Sequence, residues 1–514
     1  MPGNPPSPTA TSQEAVIALL SDPQTHDGYP VQRIDTHAAS VFLAGPRALK
    51  IKRAVKFPFL DYSTLAKRKS ACDQELDINR RFAPQIYRGC VAITKRSDGG
   101  LEIAGRGDVV EWAIEMARFD ENLTLDKFVQ TGVIDQKLAE ELAEVISSSH
   151  QKASVRERSN WVESIPSLIE ANSTAFAGHF DSQRITLLDR KSHEAFQKVR
   201  GLLKQREHRG LVRRCHGDLH LANIVLIEGK PTLFDAIEFS DEIATTDILY
   251  DLAFVLMDLW HFGQKEAANL VLNRYLQAAS LADLDGLAAL PLFMSMRAAI
   301  RANVLLARRD ADPAARDEAR QSARSYFGLA SSLMEQATPV LVAVGGLSGT
   351  GKSTLARKLA PFIGAAPGAL VLRSDVLRKQ HFGVCPADPL PAEAYQPDVT
   401  QQIYHQLIER AERILSEHHC VVIDAVSSKE AERAEIAALA RRQNVPFYGL
   451  FLTADLQTRM QRVGHRAKEA SDATVQIVQQ QERYELGQLD WHIIDASDTP
   501  EATLAKARAI IQPI

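Results

Sequence analysis

Short apolar runs broken by turn residues fill the first 120 positions. They predict strands at 33–35, 40–44 and 48–53, with Gly45-Pro46 as a turn. Before them, Thr11-x-x-Glu14 has the spacing of a capping box that opens a helix running to Leu20. A helical pattern covers 63–82 and stops before Pro84, and strands at 89–94 and 109–117 flank the turn residues Ser97-Asp98-Gly99-Gly100. The front of the chain therefore reads as a small sheet with one helix inserted. From 124 to about 205 the spacing is helical. Apolar runs at 224–227 and 232–235 then enclose Glu228-Gly229-Lys230-Pro231, the pattern of a hairpin. Helical spacing returns from 246 to about 336, with Leu292, Phe293, Met296, Ile300 and Val304 as core and the charged stretch 308–324 as solvated helix. Beyond Ala337-Thr338-Pro339, strands at 341–344, 370–372, 420–423, 447–452 and 491–494 alternate with helices. That alternation implies a parallel sheet covered on both faces, with ligands gathered at the carboxyl ends of its strands.

Composition changes this picture little. A chain of 514 residues, 45% hydrophobic and 24% charged, has material for at least two cores. A formal net charge of -4 gives no bulk electrostatic pull toward nucleic acid or a membrane surface. The five cysteines lie far apart with no C-x-x-C pair, so neither a zinc site nor a disulfide framework is indicated. Residues 1–12, rich in Pro, Ser and Thr, read as a disordered leader without a signal peptide, and no run approaches the length of a membrane span. The expectation is a cytoplasmic protein.

Two stretches carry chemistry. The first is Gly346-Leu347-Ser348-Gly349-Thr350-Gly351-Lys352-Ser353-Thr354, which follows a strand and opens a helix. Its glycines let backbone N–H groups turn toward a phosphate, Lys352 reaches β- and γ-phosphates, and the Ser353 hydroxyl suits Mg²⁺. This is a nucleoside triphosphate site. The second is Cys215-His216-Gly217-Asp218-Leu219-His220-Leu221-Ala222-Asn223 with the later Asp235. The hairpin brings Asn223 and Asp235 side by side, a pair suited to a metal on phosphates, with Asp218 a short loop away to meet an acceptor hydroxyl.

The second constellation resembles the catalytic loop and metal-binding Asp of the aminoglycoside phosphotransferase family, relatives of protein kinases with a sheet-rich lobe over a helical lobe. The resemblance implies Asp218 as base, Asn223 and Asp235 as Mg²⁺ ligands, and Lys50 on ATP phosphates, paired with Glu75. Lys52 faces the same side of its strand and competes with Lys50 for that role. Glu115-Met116-Ala117-Arg118-Phe119 would connect the lobes over adenine, and Asp247 and Asp251 would buttress the loop. No glycine-rich loop precedes Lys50. The equivalent turn is Thr36-His37-Ala38-Ala39-Ser40, where His37 and Ser40 would supply phosphate cover.

From about 340 to the end the chain resembles P-loop kinases of the zeta-toxin-like and polynucleotide-kinase-like groups. This implies Asp375 as acceptor base, Arg378 as acceptor anchor, Asp424 near Mg²⁺, and Arg459, Arg462 and Arg466 as a lid over the triphosphate. Both halves in this order are similar to bacterial bifunctional aminoglycoside phosphotransferase and ATP-binding proteins. The implied organisation is a leader at 1–12, a kinase-like α+β domain at 13–336 (lobes about 13–120 and 121–336), and an α/β P-loop domain at 340–514. The implied cofactors are ATP and Mg²⁺, and the implied acceptors are small-molecule or protein hydroxyls. A front half that only senses nucleotide, or a rear half acting on nucleic-acid 5′ ends, are the competing readings. Neither a basic-aromatic stretch nor an acidic acceptor cluster favours nucleic acid or a polycationic antibiotic.

Overall fold

A computed structural model describes residues 8–36, 38–57, 60–308, 312–335, 337–385, 388–465 and 471–511. The chain divides into two compact units. The first comprises Met1–Ile134, Glu144–Trp161 and Glu207–Val255, and the second Asp135–Ala143, Val162–Arg206 and Leu256–Ile514.

The first unit is built on a six-stranded antiparallel sheet. Its spatial order is Val31–Asp35, Ala39–Ala44, Arg47–Lys52, Asp108–Ala117, Tyr87–Lys95, Leu101–Ile103. The last strand pairs back through the Ser97–Gly100 turn and is an addition to the strands the sequence pattern predicts. The inserted helix, Leu65–Asn79, is capped by Thr64, whose hydroxyl accepts from Lys67 N. It buries Cys72 and Leu76 with Ile86, Tyr87, Ile114 and Val225. On the opposite side of the sheet, Val16 and Leu20 pack with Phe42, Leu49, Ile51, Ile93 and Ala113. Their helix spans Pro8–Ser21, so Thr11 lies inside it and residues 8–12 are helical where a leader is expected. Residues 1–7 are outside the described residues. Gln13 ties that helix down by donating to Lys52 O and Glu111 Oε2 at 2.8 Å each. The hairpin after the His216–Asn223 stretch pairs Ile224–Ile227 with Lys230–Leu233. Its two loop residues, Glu228 and Gly229, both take positive φ (51° and 75°), the twist that a two-residue hairpin loop requires.

In the second unit a five-stranded parallel sheet runs in the order Leu370–Arg373, Val421–Asp424, Leu341–Gly346, Phe447–Thr453, His492–Asp495. The P-loop strand is central and continues into the helix Lys352–Leu359. Val342, Val344, Leu355, Leu359, Val422 and Leu450 form its core. The edge strand Leu370–Arg373 is covered by the helix Lys265–Leu276. There Asn273 accepts from Val371 N at 2.7 Å and donates to Ala369 O at 3.2 Å, as a neighbouring strand would. Asn269, four residues earlier, donates to Pro367 O and Ala369 O at 3.0 and 2.9 Å.

The helical stretch Ala282–Leu306 is long and apolar enough to cross a membrane, contrary to the sequence expectation that no run approaches that length. Leu292, Phe293, Met294 and Met296 are buried, so it serves as a core element of this unit. Val304, expected in that core, is exposed because the helix turns that position outward near its end. Of the charged stretch, 313–324 belongs to the helix Pro313–Leu333, which buries Ala319 and Ala323 on one side, and 309–311 lie outside the described residues.

Candidate active sites

In the first unit the hairpin sets the chemistry. Phe234 N donates to Asn223 O at 3.0 Å, which places Asp235 next to Asn223 at the open end of the ladder. Asp235 holds φ at 58°, and its N–H donates to the Tyr87 hydroxyl at 3.1 Å. The loop before the hairpin is fixed from below by Asp251, whose carboxylate accepts from Gly217 N at 2.9 Å and His216 N at 3.3 Å. His216 Nε2 lies 2.9 Å from Phe234 O, and burial lowers its pKa, keeping the ring neutral. Asn223 Nδ2 donates to Asp218 O at 2.8 Å and to Asp218 Oδ2 at 3.2 Å. The Asp218 carboxylate is 41% exposed, open to an incoming acceptor.

Lys50 and Lys52 both converge on Glu75. Lys50 Nζ lies 2.8 Å from Glu75 Oε1 and 2.7 Å from Asp235 Oδ1, whereas Lys52 Nζ lies 2.5 Å from Glu75 Oε2 and pairs behind it with Glu238. The contacts to Glu75 are ionic rather than aligned hydrogen bonds. Only Lys50 also touches the Asp235 carboxylate, so it faces the site, and Lys52 with Glu238 forms a buried support that the sequence pattern does not reveal. Burial alone would lower Lys50, but the carboxylates of Asp235 and Glu75 outweigh it and hold the ammonium well above its ordinary value. Burial would likewise raise Glu75 and Asp235, yet the lysines hold both below theirs. The Asp235 carboxylate and the Asn223 amide oxygen are hard oxygen donors that fit Mg²⁺. Ser40, expected over the phosphates, is fully buried and donates to Asp35 Oδ1 at 2.7 Å, which takes it out of that role. His37 lies outside the described residues. The expected interlobe segment begins inside the strand Asp108–Ala117, with Glu115 paired to Arg47 at 3.0 Å.

In the second unit a cavity of about 350 Å³ brings together Ser348, Gly349, Thr350, Gly351, Lys352, Ser353, Thr354, Asp375, Asp424 and Arg462. Gly349 must be glycine, since a Cβ there would sit 2.6 Å from Arg459 O. Gly351, at φ 92°, precedes the helix where only a residue free of Cβ strain turns easily. Gly346 sits outside the cavity wall, its own Cβ position 2.5 Å from Leu452 O. Asp375 stands in the first turn of the helix Ser374–His381, whose N-cap is Arg373, so it does not cap the helix. The Ser353 hydroxyl and Asp424 carboxylate, both oxygen donors, share one partner. Arg373 donates Nε–H to Asp424 Oδ2 and a terminal N–H to Ser353 Oγ, each at 3.2 Å. A pair already held around a cation fits Mg²⁺.

Two arginine roles change. Arg378 is buried, donates to Ala394 O and to Thr400 Oγ1 at 3.3 Å, and lies over the Tyr395 ring; it holds the 392–400 segment and does not reach the cavity. Arg459 is buried, donates to Ser348 O at 2.9 Å and pairs with Glu482, bracing the P-loop from behind instead of covering it. Arg462 does line the cavity, anchored on Ser497 O and Asp498 O at 3.2 and 3.0 Å. Arg466 lies outside the described residues. Gln481, which accepts from Ser348 N at 2.7 Å, and Arg373 carry no motif and are visible only in the fold.

Residues 341–486 match the family model described as AAA domain. The uncharacterized protein Rv2004c of Mycobacterium tuberculosis is 28% identical over 494 residues, 92% of this chain and 94% of its own. Among solved structures, a choline/ethanolamine kinase family protein from Mesorhizobium loti is 12% identical with a TM-score of 0.36, covering 63% of this chain and 99% of that one. A gluconokinase from Sinorhizobium meliloti is 22% identical with a TM-score of 0.25, covering 34% of this chain and 92% of that one. The family match falls on the rear part of the chain, where the glycine-rich stretch leads out of the parallel sheet.

Proposed function

We propose that the chain is a tandem ATP-dependent phosphotransferase in which each site moves a γ-phosphoryl group to a hydroxyl acceptor of its own. The observation that carries this is the duplication of one chemical set: Asp218 beside Asn223 and Asp235 in the first unit, and Asp375 in one cavity with Lys352, Ser353 and Asp424 in the second. In each, the acceptor oxygen attacks the γ-phosphorus, the bond to the β-phosphate oxygen breaks, ADP leaves, and the hydroxyl proton passes to the carboxylate of Asp218 or Asp375. Lys50 and Lys352 bind phosphate oxygens and orient them for in-line attack. Mg²⁺, when bound, neutralises phosphate charge. The acceptors are small molecules or protein hydroxyls met in the cytoplasm. Acceptor groups on nucleic acid are disfavoured by the balanced net charge.

One observation favours a second reading, in which the front site senses nucleotide and controls the rear: the 36–40 stretch, which by resemblance takes the place of a glycine-rich phosphate loop, has no glycine. Transfer of labelled γ-phosphate into a metabolite extract, run with Lys352→Ala, Asp218→Asn and Asp375→Asn full-length chains, separates the two. Tandem catalysis predicts two sets of products, one lost by 100- to 10,000-fold in Asp218→Asn and the other in Asp375→Asn and Lys352→Ala. If no product is lost in Asp218→Asn, transfer at the front site is overturned.

A further inference from the structure

Arg373 is given no role by motif or resemblance, yet it joins two groups of the P-loop site, Asp424 and Ser353. It ends the edge strand Leu370–Arg373, one residue before the wall residue Ser374 and two before Asp375. Its side chain is 15% exposed and that of Asp424 is 5% exposed, so the pair is shielded from bulk water. The guanidinium spans Asp424 Oδ2 and Ser353 Oγ, each at 3.2 Å. These are the two groups a P-loop site gives to magnesium. Arginine stays charged at every accessible pH, and its planar fork fits two oxygens at once. Magnesium needs close oxygen ligands at roughly 2.0–2.1 Å and carries two charges. Two cations cannot share one hydroxyl and one carboxylate at this separation without strong repulsion in a shielded site.

We propose that Arg373 is a positioning residue that holds the Ser353–Asp424 pair together in the nucleotide-free protein and gives it up to magnesium only when a triphosphate arrives. Arg373 thereby excludes free divalent cation from the rear site. The polyphosphate supplies the negative charge that the displaced guanidinium loses, so metal and nucleotide enter together. This rests on the assignment of Ser353 and Asp424 to magnesium, and the test keeps the two separable.

Mn²⁺ serves as the probe, titrated into the full chain and followed by electron paramagnetic resonance, in an Asp235→Asn background that weakens the front metal site. The expected result is weak Mn²⁺ binding without nucleotide and strong binding with a non-hydrolysable ATP analogue. Arg373→Met, which keeps the stem and removes the charge, should tighten nucleotide-free Mn²⁺ binding by about tenfold or more and shrink the gain from nucleotide. Arg373→Lys, which keeps the charge without the fork, should fall between, and it carries the comparison if the Met variant does not fold. Nucleotide-free Mn²⁺ affinity that is unchanged or weaker in both variants overturns the proposal. Nucleotide-dependent Mn²⁺ binding that survives Asp424→Asn overturns the magnesium assignment itself.

Discussion

Glu75 is fully buried and stands between two ammonium groups, Lys50 at 2.8 Å and Lys52 at 2.5 Å. Asp235 and Glu238 complete the cluster on the outer sides of the lysines. Removing one member of such a group leaves buried charge uncompensated, so Glu75→Gln should cost about 3–5 kcal/mol in stability of the first unit, read by urea unfolding. A loss under about 1 kcal/mol would show that water reaches the cluster. The pH dependence follows from the same contacts. The folded Glu75 pKa lies below its ordinary 4.5, so its stabilisation is present above pH 4.5 and is lost as pH falls through the lower folded value. Lys50 is shifted the other way, and its contribution is present below 10.5 and lost as pH rises through the higher folded value. The strand alternation puts Lys50 and Lys52 on one face, as the sequence shows. Which of them meets Asp235 depends on where the hairpin end lies, and no local pattern encodes that.

At the scale of elements, the edge of the parallel sheet is the informative place. A strand that ends a sheet leaves a row of backbone groups to satisfy, and here two asparagines one helical turn apart on Lys265–Leu276 satisfy them. Asn269 is 2% exposed. In Asn273→Ala the Val371 N–H loses its acceptor, while Ala369 O keeps Asn269 at 2.9 Å. The expected cost is about 1–3 kcal/mol, with faster hydrogen exchange at the Val371 amide as the local signature. Unchanged exchange there would mean that the edge finds another partner. The same strand ends at Arg373 and leads into Asp375, so the asparagines also fix the segment that carries the proposed acceptor base.

For the whole molecule, the compact units do not follow the order of the chain. The second unit gathers Asp135–Ala143 and Val162–Arg206 with everything from Leu256 onward, so the P-loop sheet shares a unit with helices that precede it in sequence. A fragment of 340–514 keeps the P-loop, Asp375 and Asp424 but loses Asn269, Asn273 and their helix. Exposing that edge should lower its melting temperature by roughly 5–15 °C relative to the corresponding transition of the full chain and promote self-association. Differential scanning calorimetry of both decides it, and equal melting temperatures would mean that the 340–514 sheet stands without its helical cover.

The sequence alone determined the two constellations that the proposed function rests on, because each is a contiguous stretch of backbone turns and neighbouring side chains: Gly346 to Thr354, and His216 to Asn223 with the hairpin that returns Asp235. Strand and helix periodicity placed those stretches at the ends of the right elements for the same local reason. Tertiary structure decided how each charged side chain is used. Arg378 and Arg459 sit where a motif would aim them at ligand, but packing buries them against Ala394 O and Ser348 O. Arg373 meets Ser353 and Asp424, 20 and 51 positions away, and Asn273 meets Val371 at a separation of 98. Partnerships over such distances are set by which surfaces the core brings together, and periodicity along the chain carries no record of them.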